Sequence, residues 1–189
     1  MRWEWDNDGD DRVAEMWHLM KKLSDCKKVV YSKWYQGRAT FFSRDLFCAM
    51  LCLLHRESDP YLGLSPTAKR ILDTLESDSP LSTKQLKLQT DLQGKFNEGL
   101  YNKSLKELFL RFLIVGFGEV DDGAFPSLAV GATSLLYEDL LLEAKQMPLE
   151  KATILLNKNL PLKNHFRNNF EKVRKTLTAF TAKHSEATI

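Results

Sequence analysis

The sequence has no long hydrophobic run and only three cysteines. Its longest apolar stretch, Leu46 to Leu54, is too short to span a bilayer, so we expect no contact with a membrane. The first eleven residues are acidic and have no apolar segment of the kind found in secretory signals. An odd number of cysteines without an export signal favours reduced thiols, and a cytoplasmic location is therefore expected.

Motifs for phosphate and calcium sites are also missing. The chain contains neither a G-x-x-x-x-G-K-[ST] loop nor a G-x-G-x-x-G loop. The acidic cluster in residues 6–11 lacks the spacing of a calcium-binding loop, because Gly9 precedes Asp10 and Trp17 stands at the twelfth position. We interpret residues 1–11 as a flexible acidic leader.

One helical face could carry metal ligands or a nucleophile. Cys48, Cys52 and His55 are spaced so that a helix presents all three together, and His18 or Cys26 could complete a zinc site. The alternative is that both thiols are buried in an apolar helix, where cysteine is common. No acid is placed to orient a Cys-His pair. We therefore expect no metal, no cofactor and no catalytic constellation.

Charge is small in total but uneven along the chain. The net charge is +2, yet residues 119–150 are strongly acidic and residues 151–189 strongly basic. A basic face can bind polyanions whatever the sum over the whole chain. The alternative is that the acidic and basic segments pack against each other.

The N-terminal third, residues 12–64, is predicted to form a helix, a hairpin and a second helix. Apolar residues repeat every three or four positions from Arg12 to Leu23. Two β-prone runs flank Gln36-Gly37 and are typical of a hairpin. Ser43 is a candidate N-cap for an apolar helix that ends near Ser58-Asp59-Pro60.

Residues 65–130 show the element order of a winged helix-turn-helix module. Ser65-Pro66 starts one helix, Ser82 with Gln85 forms a capping box for a second, and Gly94 lies in the turn before a third. The third helix is predicted to begin at Lys95, with an apolar stripe that starts with Phe96 and Leu100. A strand at 113–117, a turn at Asp121-Asp122-Gly123 and a return strand complete the predicted wing. Leu81, Leu86 and Leu88 are expected to bury the second helix.

Residues 131–189 are predicted to be helical. An acidic helix runs to about Gln146, a short helix spans 149–157, and a last helix begins near Leu162 or Asn164. Phe166, Phe170, Val173, Leu177 and Phe180 form a seam like that of a coiled coil. This seam could pack on the chain's own core or form a homodimer, and its basic face could contact phosphates. The predicted fold class is α+β, mostly α, with a winged helix-turn-helix core and additional N- and C-terminal helices.

Three segments carry a resemblance to a known family: Trp17-His18-Leu19, Val30-Tyr31-Ser32-Lys33, and the run from Ala39 to Leu46. With the pattern that follows them, residues 12–145 resemble the proteins related to AlkZ. The resemblance implies kinship with bacterial winged-helix DNA glycosylases that remove alkylated or cross-linked bases. Those enzymes are longer and carry a Gln-x-Gln or Gln-x-Asp pair near the N-terminus. Gln89-Thr90-Asp91 has the same residue pattern, but it precedes the third helix instead of lying near the N-terminus. We therefore do not assign it the role of that pair.

The leading hypothesis is a non-enzymatic protein that binds duplex DNA, with a link to DNA repair or transcription. The third helix and the helix before it would supply contacts to phosphates and bases. The alternatives are a protein-interaction scaffold, favoured by the acidic wing residues Glu119, Asp121 and Asp122, and a glycosylase-like enzyme. The candidate nucleic-acid-binding residues are Lys84, Lys87, Lys95, Asn97, Asn102, Lys103 and Lys106.

Overall fold

The computed structural model describes residues 28–120 and 127–186, together with Leu19, Lys22 and Leu23. The predicted leader at 1–11, most of the predicted N-terminal helix and the turn at 121–123 lie outside the described residues. Within those residues the chain is α+β and mostly α, which confirms the predicted fold class. None of the helices described there is long and apolar enough to cross a membrane.

The described chain starts with the predicted hairpin, formed by β1 (Val29–Tyr35) and β2 (Arg38–Ser43). Gln36 and Gly37 have φ values of 54° and 72°, so both residues of the turn are left-handed. A two-residue turn of this kind matches the twist of paired strands.

Helix α1 (Arg44–Glu57) follows the hairpin directly and is buried on every side. The Oγ of Ser43 accepts a hydrogen bond from the backbone N–H of Leu46 (3.3 Å), which confirms Ser43 as its N-cap. Every side chain from Phe47 to Leu54 is buried. A helix that is apolar all round must lie inside the protein, and α1 does.

The middle of the chain contains α2 (Pro66–Ser77), β3 (Leu81–Ser82), α3 (Thr83–Gln89), α4 (Glu98–Leu110), β4 (Ile114–Val120) and β5 (Ser127–Ala132). Ser65 caps α2 by accepting from the N–H of Ala68 at 3.3 Å. The three predicted helices and the strand after them are all present. The third helix begins at Glu98 rather than at Lys95, because the turn before it extends through Asn97.

All five strands form one antiparallel sheet in the order β2-β1-β4-β5-β3. Strand β3 was not predicted; it pairs with β5 through Leu81 and Ser82. The pairing of β1 with β4, centred on Tyr31 and Gly116, was not predicted either. This pairing joins the N-terminal hairpin to the middle of the chain.

The C-terminal part contains α5 (Thr133–Leu136), α6 (Glu138–Gln146), α7 (Leu149–Asn159) and α8 (His165–Glu186). The acidic helix predicted to follow Tyr137 and to run to about Gln146 is present as α6, and Tyr137, with a ψ of 44°, separates it from the short α5. Helices α6 and α7 both pack against α1.

The helices bury two clusters of apolar side chains. The first core contains side chains of α1, β1 and α6–α8, and the second core contains those of α2–α4 and β3–β5. Two consecutive residues shortly after α4 pack in different cores, Phe112 in the first and Leu113 in the second. Phe112 adopts a left-handed φ of 56°, and its ring stacks on that of Trp34 with centroids 5.7 Å apart.

The apolar seam of α8 packs largely on the chain's own first core. Phe170 and Leu177 are buried there, and Phe166 and Val173 pack against the same cluster. Phe180, at the end of the seam, is 40% exposed. A homodimer through this helix stays a prediction and would have to use that exposed end.

A buried arginine fixes the segment between α1 and α2. Arg111 is only 7% exposed, and its guanidinium donates to the carbonyl oxygens of Pro60 (3.0 Å) and Leu62 (2.7 Å). It also pairs with Glu107 (3.0 Å), whose other carboxylate oxygen accepts from the hydroxyl of Ser65 (2.8 Å). The end of α4 is thereby tied to the start of α2.

Candidate nucleic-acid interface

The candidate surface consists of α3, the turn at residues 90–97, and α4. Helix α3 begins with the predicted capping box. The Oγ of Ser82 accepts from the N–H of Gln85 (3.1 Å), and the Oε1 of Gln85 accepts from the N–H of Ser82 (2.8 Å). Two backbone N–H donors are satisfied at once by side-chain oxygens, so the start of α3 is fixed by local sequence.

The turn after α3 is closed by hydrogen bonds on both sides. The N–H of Leu92 donates to the carbonyl of Lys87 (2.9 Å), and the Leu92 side chain is buried in the second core. Asp91 has a φ of 56°, which ends the helix in the left-handed region. The N–H of Asn97 donates to the carbonyl of Gly94 (3.1 Å), just before α4 begins.

An ion pair and an aromatic ring connect α3 with α4. The Nζ of Lys87 lies 2.7 Å from Oε2 of Glu98 and 4.8 Å from the centre of the Tyr101 ring. The hydrogen bond from Lys87 lowers the pKa of Glu98. Burial raises the pKa of Tyr101, so its phenol stays protonated and donates to the carbonyl of Thr83 (3.4 Å).

The seven predicted contact residues all lie in α3, the turn or α4, and they divide into exposed and engaged side chains, with Asn102 belonging to both groups. Lys84, Lys95, Asn102, Lys103 and Lys106 are exposed. Lys95, Lys103 and Lys106 make no ion pair within the part of the chain that the structure describes.

Three of the seven are engaged within the protein. Lys87 pairs with Glu98. The amide of Asn97 donates to the carbonyl of Gln93 (3.0 Å), and that of Asn102 approaches Oε1 of Glu98 (3.4 Å). Of these three side chains, Lys87 links α3 with α4, whereas Asn97 bonds within the turn and Asn102 within α4.

Three apolar residues at the same surface are exposed, contrary to prediction. Phe96 is 99% exposed, Leu88 61% and Leu100 46%. Phe96 and Leu100 were expected to begin the buried stripe of the third helix, and Leu88 to bury the second. Helical periodicity misplaced Phe96 because the turn extends through Asn97, so Phe96 precedes the helix.

The Gln-x-Asp letters at the end of α3 do not form a site in the described structure. Gln89 and Asp91 are exposed, whereas Thr90 between them is buried and donates its hydroxyl to the carbonyl of Leu86 (2.6 Å). The backbone turns left-handed at Asp91, so the three residues terminate a helix.

Cys48, Cys52 and His55 lie on α1, as predicted, but each contacts a different partner. The two thiols donate to the carbonyls of Leu140 (3.7 Å) and Met147 (3.4 Å). His55 Nε2 lies 2.9 Å from the carbonyl oxygen of Arg111. Burial raises the pKa of Cys48 to about 12, so this thiol is not a nucleophile at neutral pH. Among the described residues no group of His, Cys, Asp and Glu is arranged to hold a metal ion.

The hairpin predicted to form a wing is described only in part. Strands β4 and β5 pair from Ile114 to Val120, and Glu119 lies opposite Leu128. Asp121 and Asp122, which were predicted to give the wing its acidic tip, lie outside the described residues.

Comparison with known proteins identifies the family of this chain, but no individual relative. No curated protein and no solved structure matches the chain. The family model described as AlkZ related matches residues 1–164. This match spans the N-terminal hairpin, the candidate surface, the second core, and the first core apart from the side chains of α8. The chain belongs to the AlkZ-related family.

Proposed function

We propose that this protein binds duplex DNA through α3 and α4 and serves in DNA repair. The observation that carries the proposal concerns the carboxylates between the lysines of α4. Glu98 is paired with Lys87, and Glu107 with Arg111. The lysines are therefore not neutralised by their neighbours on the helix. Lysines on an exposed helix are suited to phosphate contacts, which supply most of the affinity for DNA.

The surrounding elements support a winged helix-turn-helix. The chain runs from α2 through β3, α3 and α4 to the β4–β5 hairpin, and β3 adds to that hairpin beside β5. In such modules the second helix of the helix-turn-helix pair lies in the major groove. Here that helix is α4, with Lys95 before it and Asn102, Lys103 and Lys106 along it. An asparagine there is able to read adenine.

Family membership links the chain to DNA repair, and we propose a binding role there without base excision. The residues of the Gln-x-Asp pattern in this chain end α3, and the hydroxyl of Thr90 between them donates to the backbone carbonyl of Leu86. We place the protein in the bacterial cytoplasm, in keeping with the buried, free thiols of Cys48 and Cys52.

Fluorescence anisotropy of a labelled random duplex tests the proposal. The protein is titrated at several salt concentrations, beside a double variant, Lys95→Glu with Lys103→Glu. Wild type should bind with a steep loss of affinity as salt rises, because each phosphate contact releases counterions. The double variant should bind at least about tenfold more weakly, with a salt slope smaller by about two.

A matched double variant controls for net charge. Lys151 and Lys158 are exposed on α7, which packs on α1 in the first core. Lys151→Glu with Lys158→Glu makes the same change in total charge away from α4 and should bind nearly as wild type does. Equal losses in the two double variants would mean that DNA binds through net charge and not through α4. No binding of wild type at low salt would overturn the proposal.

A second candidate function is a protein-interaction scaffold. Leu135 and Leu142 are both more than half exposed, and Glu138 lies exposed between them, next to Asp139, whose carboxylate pairs with Arg44. Acidic residues around exposed leucines disfavour DNA and suit a basic protein partner. A chain that binds no duplex but loses a co-purifying partner on Leu142→Asp would favour the scaffold.

A third candidate, base excision, follows from the family resemblance alone. Incubation with an oligonucleotide that carries an alkylated base tests it directly. Our proposal expects no release of the free base above the uncatalysed rate. Release that depends on Asp91 would replace the binding role with an enzymatic one.

A further inference from the structure

Phe96 is the most exposed large apolar side chain in the described ranges, at 99%. It lies in the turn between α3 and α4, next to Lys95, and Leu88 and Leu100 are exposed on the two flanking helices. A phenyl ring in water costs free energy compared with a buried one, so its exposure at the centre of the candidate surface needs an explanation.

The exposure does not come from a loose turn. Hydrogen bonds close the backbone on both sides of Phe96, from Leu92 to Lys87 and from Asn97 to Gly94. The Asn97 side chain adds a third bond, to the carbonyl of Gln93 (3.0 Å). The ring is therefore presented by a fixed backbone.

The usual intramolecular partner for such a ring is occupied. A hydrophobic residue just before an N-cap often packs against the fourth residue of the helix. Here the N-cap is Asn97 and the fourth residue is Tyr101. Tyr101 is buried, and the ammonium group of Lys87 lies over its ring at 4.8 Å. Phe96 is left without that contact and points its ring to solvent.

The charges around Phe96 favour a polyanion. Lys95 adjoins it in the chain, and Lys103 follows two turns into the helix. Glu98 is neutralised by Lys87, and Asp91 at the other end of the turn is the one carboxylate of this surface without an ion pair among the described residues. An apolar protein partner would have to desolvate these lysines, whereas a nucleic acid pairs them with phosphates.

The first turn of α4 also allows close approach. A Cβ added at Gly99 would meet nothing within 4 Å, so the space beside this residue is open. No side chain caps the N-terminus of α4, which leaves backbone donors available near the lysines. A phosphate group can therefore approach the turn that presents Phe96.

We infer that Phe96 inserts into the base stack of duplex DNA where that stack is interrupted, so that this surface prefers distorted over intact DNA. The inference rests on the proposed binding to duplex DNA, and it specifies which form of DNA this surface prefers. Apolar side chains such as phenylalanine enter a base step only if the two bases unstack, which costs free energy. Where a base is missing or unpaired, this cost is smaller, and the phenyl ring can stack on a neighbouring base.

Two labelled duplexes that differ at one position test the inference. One is intact, and the other has a single abasic site at its centre. Wild type should bind the abasic duplex about 5- to 100-fold more tightly, the range that stacking on one aromatic side chain supplies. Phe96→Ala should lose most of this preference, measured as the ratio of its affinities for the two duplexes at the same salt concentration. Phe96→Trp keeps an aromatic face and should keep the preference.

Controls separate a failure of this inference from a failure of the proposed function. Leu162 is 76% exposed between α7 and α8, so Leu162→Ala removes an exposed apolar side chain elsewhere and should leave the preference unchanged. Equal wild-type affinity for both duplexes, unaffected by Phe96→Ala, would overturn the wedge and leave duplex binding in place. Absence of binding to either duplex would overturn both.

Discussion

Lys87 and Glu98 form an ion pair that links α3 with α4, with Nζ of Lys87 2.7 Å from Oε2 of Glu98. The same ammonium group lies over the ring of Tyr101. A predicted DNA-contacting lysine is therefore engaged within the protein. In return, the acidic residue closest to the start of α4 is neutralised.

The first prediction follows from this pair. Glu98→Gln removes the negative charge and frees Lys87, so it should tighten binding to an intact duplex about 2- to 5-fold at low salt and steepen the salt slope by up to about one. Anisotropy titrations at several salt concentrations measure both. Glu150→Gln, an exposed change of the same charge on α7, should have a smaller effect. Weaker binding by Glu98→Gln would mean that the pair itself positions α4.

The second prediction concerns Arg111. Its guanidinium donates to carbonyl oxygens 49 and 51 residues earlier in the chain and pairs with Glu107. Arg111→Met leaves those buried acceptors and the carboxylate unpaired, and should lower the free energy of unfolding by about 3 kcal/mol. Urea denaturation followed by circular dichroism measures this loss.

An exposed arginine provides the comparison for Arg111. Arg70 lies on the solvent side of α2, and Arg70→Met should change stability by less than about 0.5 kcal/mol. Similar losses in the two variants would contradict the role assigned to the buried guanidinium.

Local sequence signals predicted the starts of three helices. Ser43, Ser65 and Ser82 each accept a backbone hydrogen bond from three residues further along the chain. These caps depend only on neighbouring residues, so they can be recognised without tertiary information. The hairpin turn at Gln36-Gly37 is predictable for the same reason.

Two kinds of feature were not predicted from the sequence. Some depend on contacts between distant segments, and others on whether helical periodicity or an N-cap decides where a helix begins. The pairing of Tyr31 with Gly116 and the carbonyl contacts of Arg111 join segments far apart in the chain. Phe96 was assigned to the helix because periodicity alone does not show that Asn97 is the N-cap. That error hid the most exposed aromatic side chain of the candidate surface.

The third prediction tests the junction between β1 and β4. A Cβ added at Gly116 would lie 2.3 Å from Cδ1 and 2.6 Å from Cε1 of Tyr31. The Tyr31 ring is stacked on that of Phe41 (5.0 Å between centroids), so it cannot move without disturbing the hairpin. Gly116→Ala should lower the free energy of unfolding by about 1–3 kcal/mol.

Gly99 makes a suitable comparison for Gly116 because a Cβ there meets nothing. Gly99→Ala in the first turn of α4 should be neutral or stabilise the protein by up to about 1 kcal/mol, since alanine favours the helix. Chemical denaturation of both variants measures the contrast. A destabilising Gly99→Ala would show that the open space at this position is needed for folding.

The fourth prediction is a pH dependence that arises from His55. Burial lowers the pKa of this imidazole from its ordinary value of 6.5, and its Nε2 donates to the carbonyl of Arg111. In the unfolded chain the histidine takes up a proton near its ordinary pKa, whereas in the folded chain it stays neutral until lower pH. The unfolded state therefore binds more protons below about pH 6.5, and the stability falls as the pH decreases through that range.

His55→Gln keeps a side-chain donor for the Arg111 carbonyl but does not titrate. Between about pH 7.5 and 5.5 its free energy of unfolding should decrease less steeply than that of wild type, by at most about 1.4 kcal/mol per pH unit. His165 is exposed at the start of α8, so His165→Gln should follow the wild-type curve. Parallel curves for wild type and His55→Gln would mean that folding leaves the pKa of His55 unchanged, and would contradict the effect of its burial. A wild-type curve that falls less steeply than that of His55→Gln would mean that the folded protein raises this pKa. The tie between α1 and the end of α4 would then be an ionic hydrogen bond, which strengthens rather than weakens in acid.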